Sequence, residues 1–308
     1  MSLFWFIVKR IVESLPVLFA IVTLSFIMIK MAPGGPFDGE KQTDPLVLEM
    51  LNAQYGLDQP LSSQYTRFIS NLFKGELGPS TNYPSWSVEE IIASKLPVSI
   101  ELGLYSFILA LFLGSGIGAL SAVRPNSLYD YLPMSTSMLG ICLPSFVIGP
   151  LLLLVFSLHF QWFNVQGWNF PQDKVLPVCT LALFYTAFIA RLTRSSLIEV
   201  LGKDYIRTAI AKGVSPLRTI VVHGLRNAFS PVISYLGPAL AGLISGSFVV
   251  ETIFQLPGLG RFFVLSAMNR DVSLTIGVVL FYAVLILAFN LMVDILLVFM
   301  NPKRRFND

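Results

Sequence analysis

Apolar residues do not alternate along this chain. They come in long blocks, separated by stretches where charge and turn residues concentrate. Crossing the hydrocarbon core of a bilayer takes about 20 predominantly apolar residues in one helix. Six blocks match or approach that length, at roughly 11–31, 98–123, 131–158, 175–192, 230–250 and 274–300, the fourth being the shortest. Peptide groups find no water inside a bilayer, so each block is read as a helix that bonds its own backbone. The expectation is an all-α integral membrane protein with six transmembrane helices. Lys9 and Arg10 precede the first block as they would in a signal peptide. Its apolar run is too long for a signal core, however, and MAPGGPFDGE offers no convincing small-residue cleavage site, so a retained helix is expected.

An even number of spans places both termini on one side. That side receives Lys9, Arg10, Arg124, Arg191, Arg194, Lys203, Arg207, Lys212, Arg218, Arg226 and Lys303 to Arg305. The other receives Lys41, Arg67, Lys74, Lys95, Lys174, Arg261 and Arg270, spread over longer loops. Lys and Arg accumulate on the cytoplasmic side, so both termini are expected inside. Segment 32–97 is then external. It holds eight acidic and four basic residues, with turn signals at APGGP, GLDQP and GELGPS. Apolar residues recur at Leu46, Leu48, Met50 and Leu51, then at Phe68, Ile69, Leu72 and Phe73, which predicts short helices over the outer face. The expected organisation is residues 1–31, an external segment 32–97, a five-helix core 98–300 containing an inner loop 193–229, and a cytoplasmic tail 301–308.

Composition supports lipid as the main solvent. The 308 residues are 54% hydrophobic and 13% charged, with a mean hydropathy of +0.70. Soluble domains carry about 25% charged residues. The basic residues are dispersed, so nucleic acid is excluded as a partner. Cys142 and Cys179 lie in apolar runs and read as small core residues. His159 and His223 have no ligand spacing, and no metal site is expected. Charge inside the spans is scarce. Glu13 can pair with Lys9 or Arg10 along its helix, Glu101 opens span two at the outer interface, and Asp294 lies near the inner end of span six. None supplies the midplane acid that an ion-coupled carrier needs. Gly114, Gly116, Gly118, Gly140, Pro144, Gly149, Pro150, Gly237, Pro238, Gly242 and Gly246 stand within spans, where they permit close helix approach or bending.

One polar segment breaks the pattern: DYIRTAIAKGVSPLRTIVVHGLRNAFSP, residues 204–231. Asp204 is placed to cap a helix. Ile206, Ala209 and Ile210 then share a face, while Arg207 and Lys212 keep other faces wet. Lys212 suits the negative end of the helix dipole, and Gly213 is the expected left-handed residue beyond it. Ser215 and Pro216 start a second helix through Leu217, Ile220, Val221 and Leu225. A helix this short is marginal alone, so it needs lipid or protein to dock on.

Arg207-Thr208-Ala209-Ile210-Ala211-Lys212-Gly213, with His223, Leu225-Arg226-Asn227-Ala228 and Pro231, resembles the EAA loop of ABC-importer permeases. The likeness is closer to the RTAxAKG form of peptide permeases; Arg207 and Thr208 stand where the general pattern has Glu and Ala. Lys9-Arg10, APGGPFDGE, LPVSIELG, Glu251-Thr252-Ile253-Phe254, Leu256-Pro257-Gly258-Leu259-Gly260 and Asn269-Arg270-Asp271 extend the resemblance to B-type oligopeptide permease subunits over nearly the whole chain. The resemblance implies a type I ABC-importer permease fold in a bacterial inner membrane. It implies a second, homologous permease, two cytoplasmic ATP-binding subunits, an external peptide-binding protein and an oligopeptide substrate. Asp204, Tyr205, Arg207, Thr208, Ala209, Ala211, Lys212 and Gly213 would form the coupling helix. Glu251, Phe254, Pro257, Gly258 and Gly260 would form an external signature loop, with a tight reversal at Pro257-Gly258 and a close approach at Gly260. ATP and Mg would belong to the partner subunits, since no GxxxxGK[ST] loop is present and this chain is not expected to be an enzyme. Alternatives are a dipeptide, nickel or other small-solute permease of the same family, or a stand-alone secondary carrier.

The charge asymmetry makes a direct prediction. In a Cys142→Ser, Cys179→Ser background, a cysteine replacing Asn82 should react with an impermeant thiol reagent from outside, and one replacing Ser215 should not. Labelling of opposite sidedness would reverse the orientation.

Overall fold

A computed structural model describes residues 3–31, 37 and 45–300. APGGPFDGE, Phe37 aside, and the tail 301–308 lie outside the described residues. The described chain is helical almost throughout. It runs as α1 (Leu3–Met31), α2 (Pro45–Tyr55), α3 (Leu61–Phe73), α4 (Val88–Val123), α5 (Leu128–Cys142) and α6 (Ser145–Leu152), the last continuing as a π-helical turn Leu153–His159. Then come α7 (Pro171–Leu201), α8 (Asp204–Ala211) and α9 (Pro216–Arg218), which passes through a second π-helical stretch, Thr219–Leu225, into α10 (Arg226–Ser245). Helices α11 (Phe248–Ile253), α12 (Leu259–Met268) and α13 (Val272–Met300) complete it.

Among the described residues, five helices are long and apolar enough to cross a membrane: Phe4–Met31, Val88–Val123, Pro171–Leu201, Pro216–Ile253 and Val272–Leu296. The sixth apolar stretch differs from the continuous helix expected at 131–158. It is a pair, α5 and α6, bent by 108° at a short break. Pro144 explains the break. It has no amide hydrogen, and its ring excludes the preceding residue from helical geometry, leaving Leu143 extended at φ −103°, ψ 123°. The second and fourth spans begin earlier than their apolar blocks, because helix ends continue into polar surroundings. Pro97 and Pro177 are accommodated inside them.

The helices divide into two units. One comprises Val98–Pro257 with the chain from Ile286 onward, the other Leu3–Pro97 with Gly258–Leu285. In the first, α7 is the central helix, and α5, α6, α10 and α11 all pack on it. Its core contains Leu102, Leu176, Leu181, Leu243, Val250 and Phe254, with further buried groups around Ile189 and Leu197. Glycine lets α4 approach α7 closely. A Cβ on Gly114 would lie 2.7 Å from the Thr186 carbonyl oxygen, and one on Gly118 would lie 2.4 Å from that of Ala190. The four-residue spacing puts both on one face, the small-xxx-small device of packed membrane helices. Gly116 lies between them, with open space where a Cβ would be.

In the second unit, Val88, Ile91, Leu259, Leu274 and Val278 form the core. Phe26 of α1 packs its ring against Tyr65 and Phe68 of α3, at 5.3 and 6.0 Å between centroids. Thr23 and Tyr65 hydroxyls meet at 2.7 Å. Helices α2 and α3 are the short helices expected in the external segment. Tyr55 ends α2, and its hydroxyl donates to the Ser80 carbonyl at 3.4 Å. Burial, with the Asp271 carboxylate adding to it, raises this phenol above its ordinary pKa.

The glycine geometry predicts opposite outcomes for neighbouring substitutions. Gly118→Ala must push a backbone carbonyl aside and should cost about 1–3 kcal/mol, read as a lowered melting temperature of the purified protein. Gly116→Ala should leave melting unchanged. Equal effects would show that the α4–α7 contact is looser than described.

Candidate functional site

Helix α8 is the polar interruption seen in the sequence. Its cap differs from the expectation. Lys203, extended at φ −76°, ψ 151°, is the N-cap, Asp204 is the first helical residue, and no side chain caps the backbone. The Asp204 carboxylate instead lies 3.8 Å from the exposed Arg207 guanidinium. A first-turn carboxylate still favours the dipole. Lys203 reaches back to Glu199, 2.8 Å away, and that carboxylate raises the Lys203 pKa.

The C-terminal end matches the sequence pattern. Gly213 is left-handed at φ +80°. Its amide donates to the Ile210 carbonyl at 2.9 Å, and the Val214 amide donates to that of Ala209 at 3.2 Å. This double closure satisfies two orphan carbonyls and suits glycine because an L side chain is disfavoured at that φ. Ser215 then caps the chain's return, with Pro216 at the first helical position.

The expected shared apolar face is divided. Ile206 is buried at 1% exposure, Ala209 is half-buried and Ile210 is exposed. One turn of helix therefore anchors to its own bundle through Ile206. It presents Tyr205, Arg207, Thr208, Ile210, Ala211 and Lys212 outward, and Leu217, Val221 and Val222 are exposed just beyond. The Tyr205 hydroxyl accepts a 2.9 Å bond from Asn227, whose amide also donates to the His223 carbonyl at 3.2 Å. That pair ties α8 to the first turn of α10, directly after the π-helical stretch. A short exposed helix is thus joined to the start of a spanning helix.

The segment expected as an external loop is built differently. Glu251 lies inside α11 with no exposed surface, accepting from the hydroxyls of Ser99 at 2.7 Å and Ser247 at 2.6 Å. Phe254 is also buried. The expected tight reversal at Pro257-Gly258 has no left-handed residue. Gly258 has φ −93° and serves as the N-cap of α12, while Gly260 is buried in its first turn. The left-handed residue is Gln255, at φ +51°, where the Leu256 amide closes onto the Glu251 carbonyl at 2.8 Å. A helix end needing those bonds, with Leu256 drawn into the core, overrides the preference for glycine.

The family of binding-protein-dependent transport system inner membrane components matches residues 93–306, and its N-terminal component matches residues 3–103. The chain belongs to this family. The permease is 46% identical to the oligopeptide transport system permease protein OppB of Haemophilus influenzae, covering 98% of this chain and 99% of that protein. It is 43% identical to the Escherichia coli protein of the same description, and 40% to the dipeptide transport system permease protein DppB of Bacillus subtilis, covering 97% of each chain in the latter case. A crystal structure of an amino acid ABC transporter with histidines shares the fold, with a TM-score of 0.53 at 17% identity, covering 67% of this chain and 92% of that one. The permease is thus a multi-pass inner membrane transport component with the all-α ABC permease fold.

Sequence reading missed several framing charges in the permease. Asp130, 2% exposed, receives both Arg194 donors at 2.6 Å and the Asn126 amide at 2.9 Å, tying α5 to α7. The signal was Asp130 just before the third apolar block, in the same loop as Arg124, with Arg194 counted on that side just after the fourth. Asp173, in the first turn of α7, accepts the amide of the N-cap residue Phe170 at 2.9 Å. Glu101 does pair, but across helices, with Lys174 at 2.5 Å and the Trp168 indole at 2.7 Å. Glu13 pairs with Lys9 at 3.8 Å as expected. Cys142 is exposed and Cys179 half-buried, so neither is the buried core residue expected; Cys142 ends α5 where the chain breaks. Among the described residues, no three His, Cys, Asp or Glu converge.

Breaking the buried pair should be costly. Asp130→Leu leaves the Arg194 charge behind and should destabilise by about 3 kcal/mol. Asp130→Leu combined with Arg194→Met should recover most of that loss in a melting assay. A single variant that melts like the wild type would show that the pair contributes nothing.

Proposed function

We propose that this permease is one of two membrane subunits of an ATP-driven oligopeptide importer. The observation that carries this reading is α8, exposed, anchored by one buried isoleucine and closed by a left-handed glycine, in a chain of near full-length likeness to oligopeptide permeases. In this reading the outward side of α8 seats in a groove of a cytoplasmic ATP-binding subunit. Asp204, Tyr205, Arg207, Thr208, Ala209, Ala211, Lys212 and Gly213 make up the coupling element, and the Tyr205–Asn227 bond passes its displacement to α10. ATP and Mg are held by the two partner subunits, an external binding protein delivers the peptide, and both termini of the permease are cytoplasmic. Peptide crosses between this chain and a homologous permease. Scarce fixed charge in the spans suits a cargo whose side chains vary. Import of dipeptides is the second reading, favoured by the 40% identity to the dipeptide permease protein.

The α8 surface predicts separable effects. Gly213→Val meets no neighbouring atom and strains only the backbone. Ile210→Glu places charge on the exposed side. Both should leave the permease inserted, reduce co-purification of the ATPase and lower ATP-dependent peptide uptake in reconstituted vesicles at least tenfold. Lys212→Arg should be mild, since charge and helix propensity persist. Normal uptake by both damaging variants would remove the coupling role. Uptake driven by an ion gradient without ATPase partners would make the chain a secondary carrier.

A further inference from the structure

At the last turn of α1 the second unit forms an open pocket of about 140 Å³. Its wall includes Phe26 and Lys30 of α1, Arg67 and Phe68 of α3, Gly56 after α2, and Thr81. Two cations line it and no carboxylate does. The nearby Asp271 is already engaged by the Ser80 hydroxyl and by the amides of Asn82 and Leu274. Among the described residues neither Lys30 nor Arg67 meets an acid within ion-pair distance. The Thr81 hydroxyl oxygen is sealed from solvent without a hydrogen-bond partner.

The position of Arg67 is shaped by Gly56. That residue is left-handed at φ +65°, and a Cβ on it would lie 2.7 Å from the Arg67 guanidinium. The turn thus gives up a side chain so that the guanidinium can lie against its backbone.

We propose that this pocket binds the phosphate of a membrane phospholipid. Two observations select a lipid over a soluble anion. The first is the helix that carries Lys30. Helix α1 is of bilayer length, so its last turn lies in the headgroup region, where a lysine amine reaches phosphate while its stem stays apolar. Leu24, Ile27 and Met28 are exposed on the same helix, so lipid chains can cover α1 up to its last turns. The second is α3. It lies beside those turns with Tyr65 and Phe68 against Phe26 of α1, while the apolar Leu61 and Phe73 at its two ends stay exposed, as suits a helix lying at the lipid surface. Arg67 projects from this helix with the forked donors that match a phosphate. Phosphate contacts here would fasten α3 to the outermost turn of α1 through the lipid itself.

The test is native mass spectrometry of the full-length permease in detergent, titrated with dioleoyl phosphatidylglycerol. Wild type should retain the lipid, and Lys30→Ala with Arg67→Ala should weaken retention at least tenfold, the scale of losing one charge-assisted bond. Arg67→Lys should retain more lipid than Arg67→Ala, and Lys74→Ala, a change to an exposed cation just beyond α3, should bind as wild type. Unchanged melting of the double variant in lipid-free detergent would tie the weakened retention to the pocket. If that variant melts early, Gly56→Val, which crowds Arg67 without removing a charge, must reproduce the loss. Dioleoylglycerol, which lacks the phosphate, should not be retained. Equal phosphatidylglycerol retention by wild type and double variant would overturn the proposal. So would equal retention of dioleoylglycerol, or displacement of the lipid by millimolar inorganic phosphate, which would make this a soluble-anion site.

Discussion

A carboxylate taken out of water loses several kcal/mol of solvation unless protein donors replace it. Each unit of this permease has such a group at its core. Glu251 in the first unit and Asp271 in the second have no exposed surface. Glu251 holds α11 to α4 through Ser99 and to the preceding turn through Ser247. Asp271 caps α13 through the Leu274 amide and gathers Ser80 and Asn82 from the external segment. Neither carboxylate can be satisfied until distant segments have met, so each selects one arrangement of its helices. Apolar packing alone is weakly directional and would accept many.

The same requirement explains how little charge the spans carry and where it sits. Glu101 with Lys174, and Asp130 with Arg194, are paired across helices near span ends. Their locations leave the apolar middle of the bundle free of fixed charge. Close packing there rests on small residues, with Gly114 and Gly118 against the backbone of α7.

Helix α8 continues that logic at the surface. Its one buried side chain, Ile206, and the Tyr205–Asn227 bond fix it to the first unit while most of its residues remain available. The π-helical stretch Thr219–Leu225 follows, and the Thr219 hydroxyl oxygen at its start is buried without a partner. Such stretches recur where helices serve a function. Here it lies between the exposed helix and the spanning part of α10.

Much of this was legible in the residues alone. Block length gave the spans, since lipid leaves the backbone no other solution. Gly213, Ser215 and Pro216 marked the end of one helix and the start of the next, because their backbone preferences are local. Local chemistry could not tell which charges would be clasped. Asp130 and Arg194 are 64 positions apart, and Glu251 and Ser99 are separated by 152. Nor could it show that Pro144 turns a continuous apolar block into two helices bent by 108°, because a proline within a span is also compatible with a straight helix. Helical periodicity grouped Ile206 with Ala209 and Ile210, but only packing decided which of them would be buried. The sequence by itself determined where helices form and stop, through rules acting within a turn or two. Tertiary structure decided which polar groups meet, because a buried carboxylate is satisfied by whatever donors the fold brings to it.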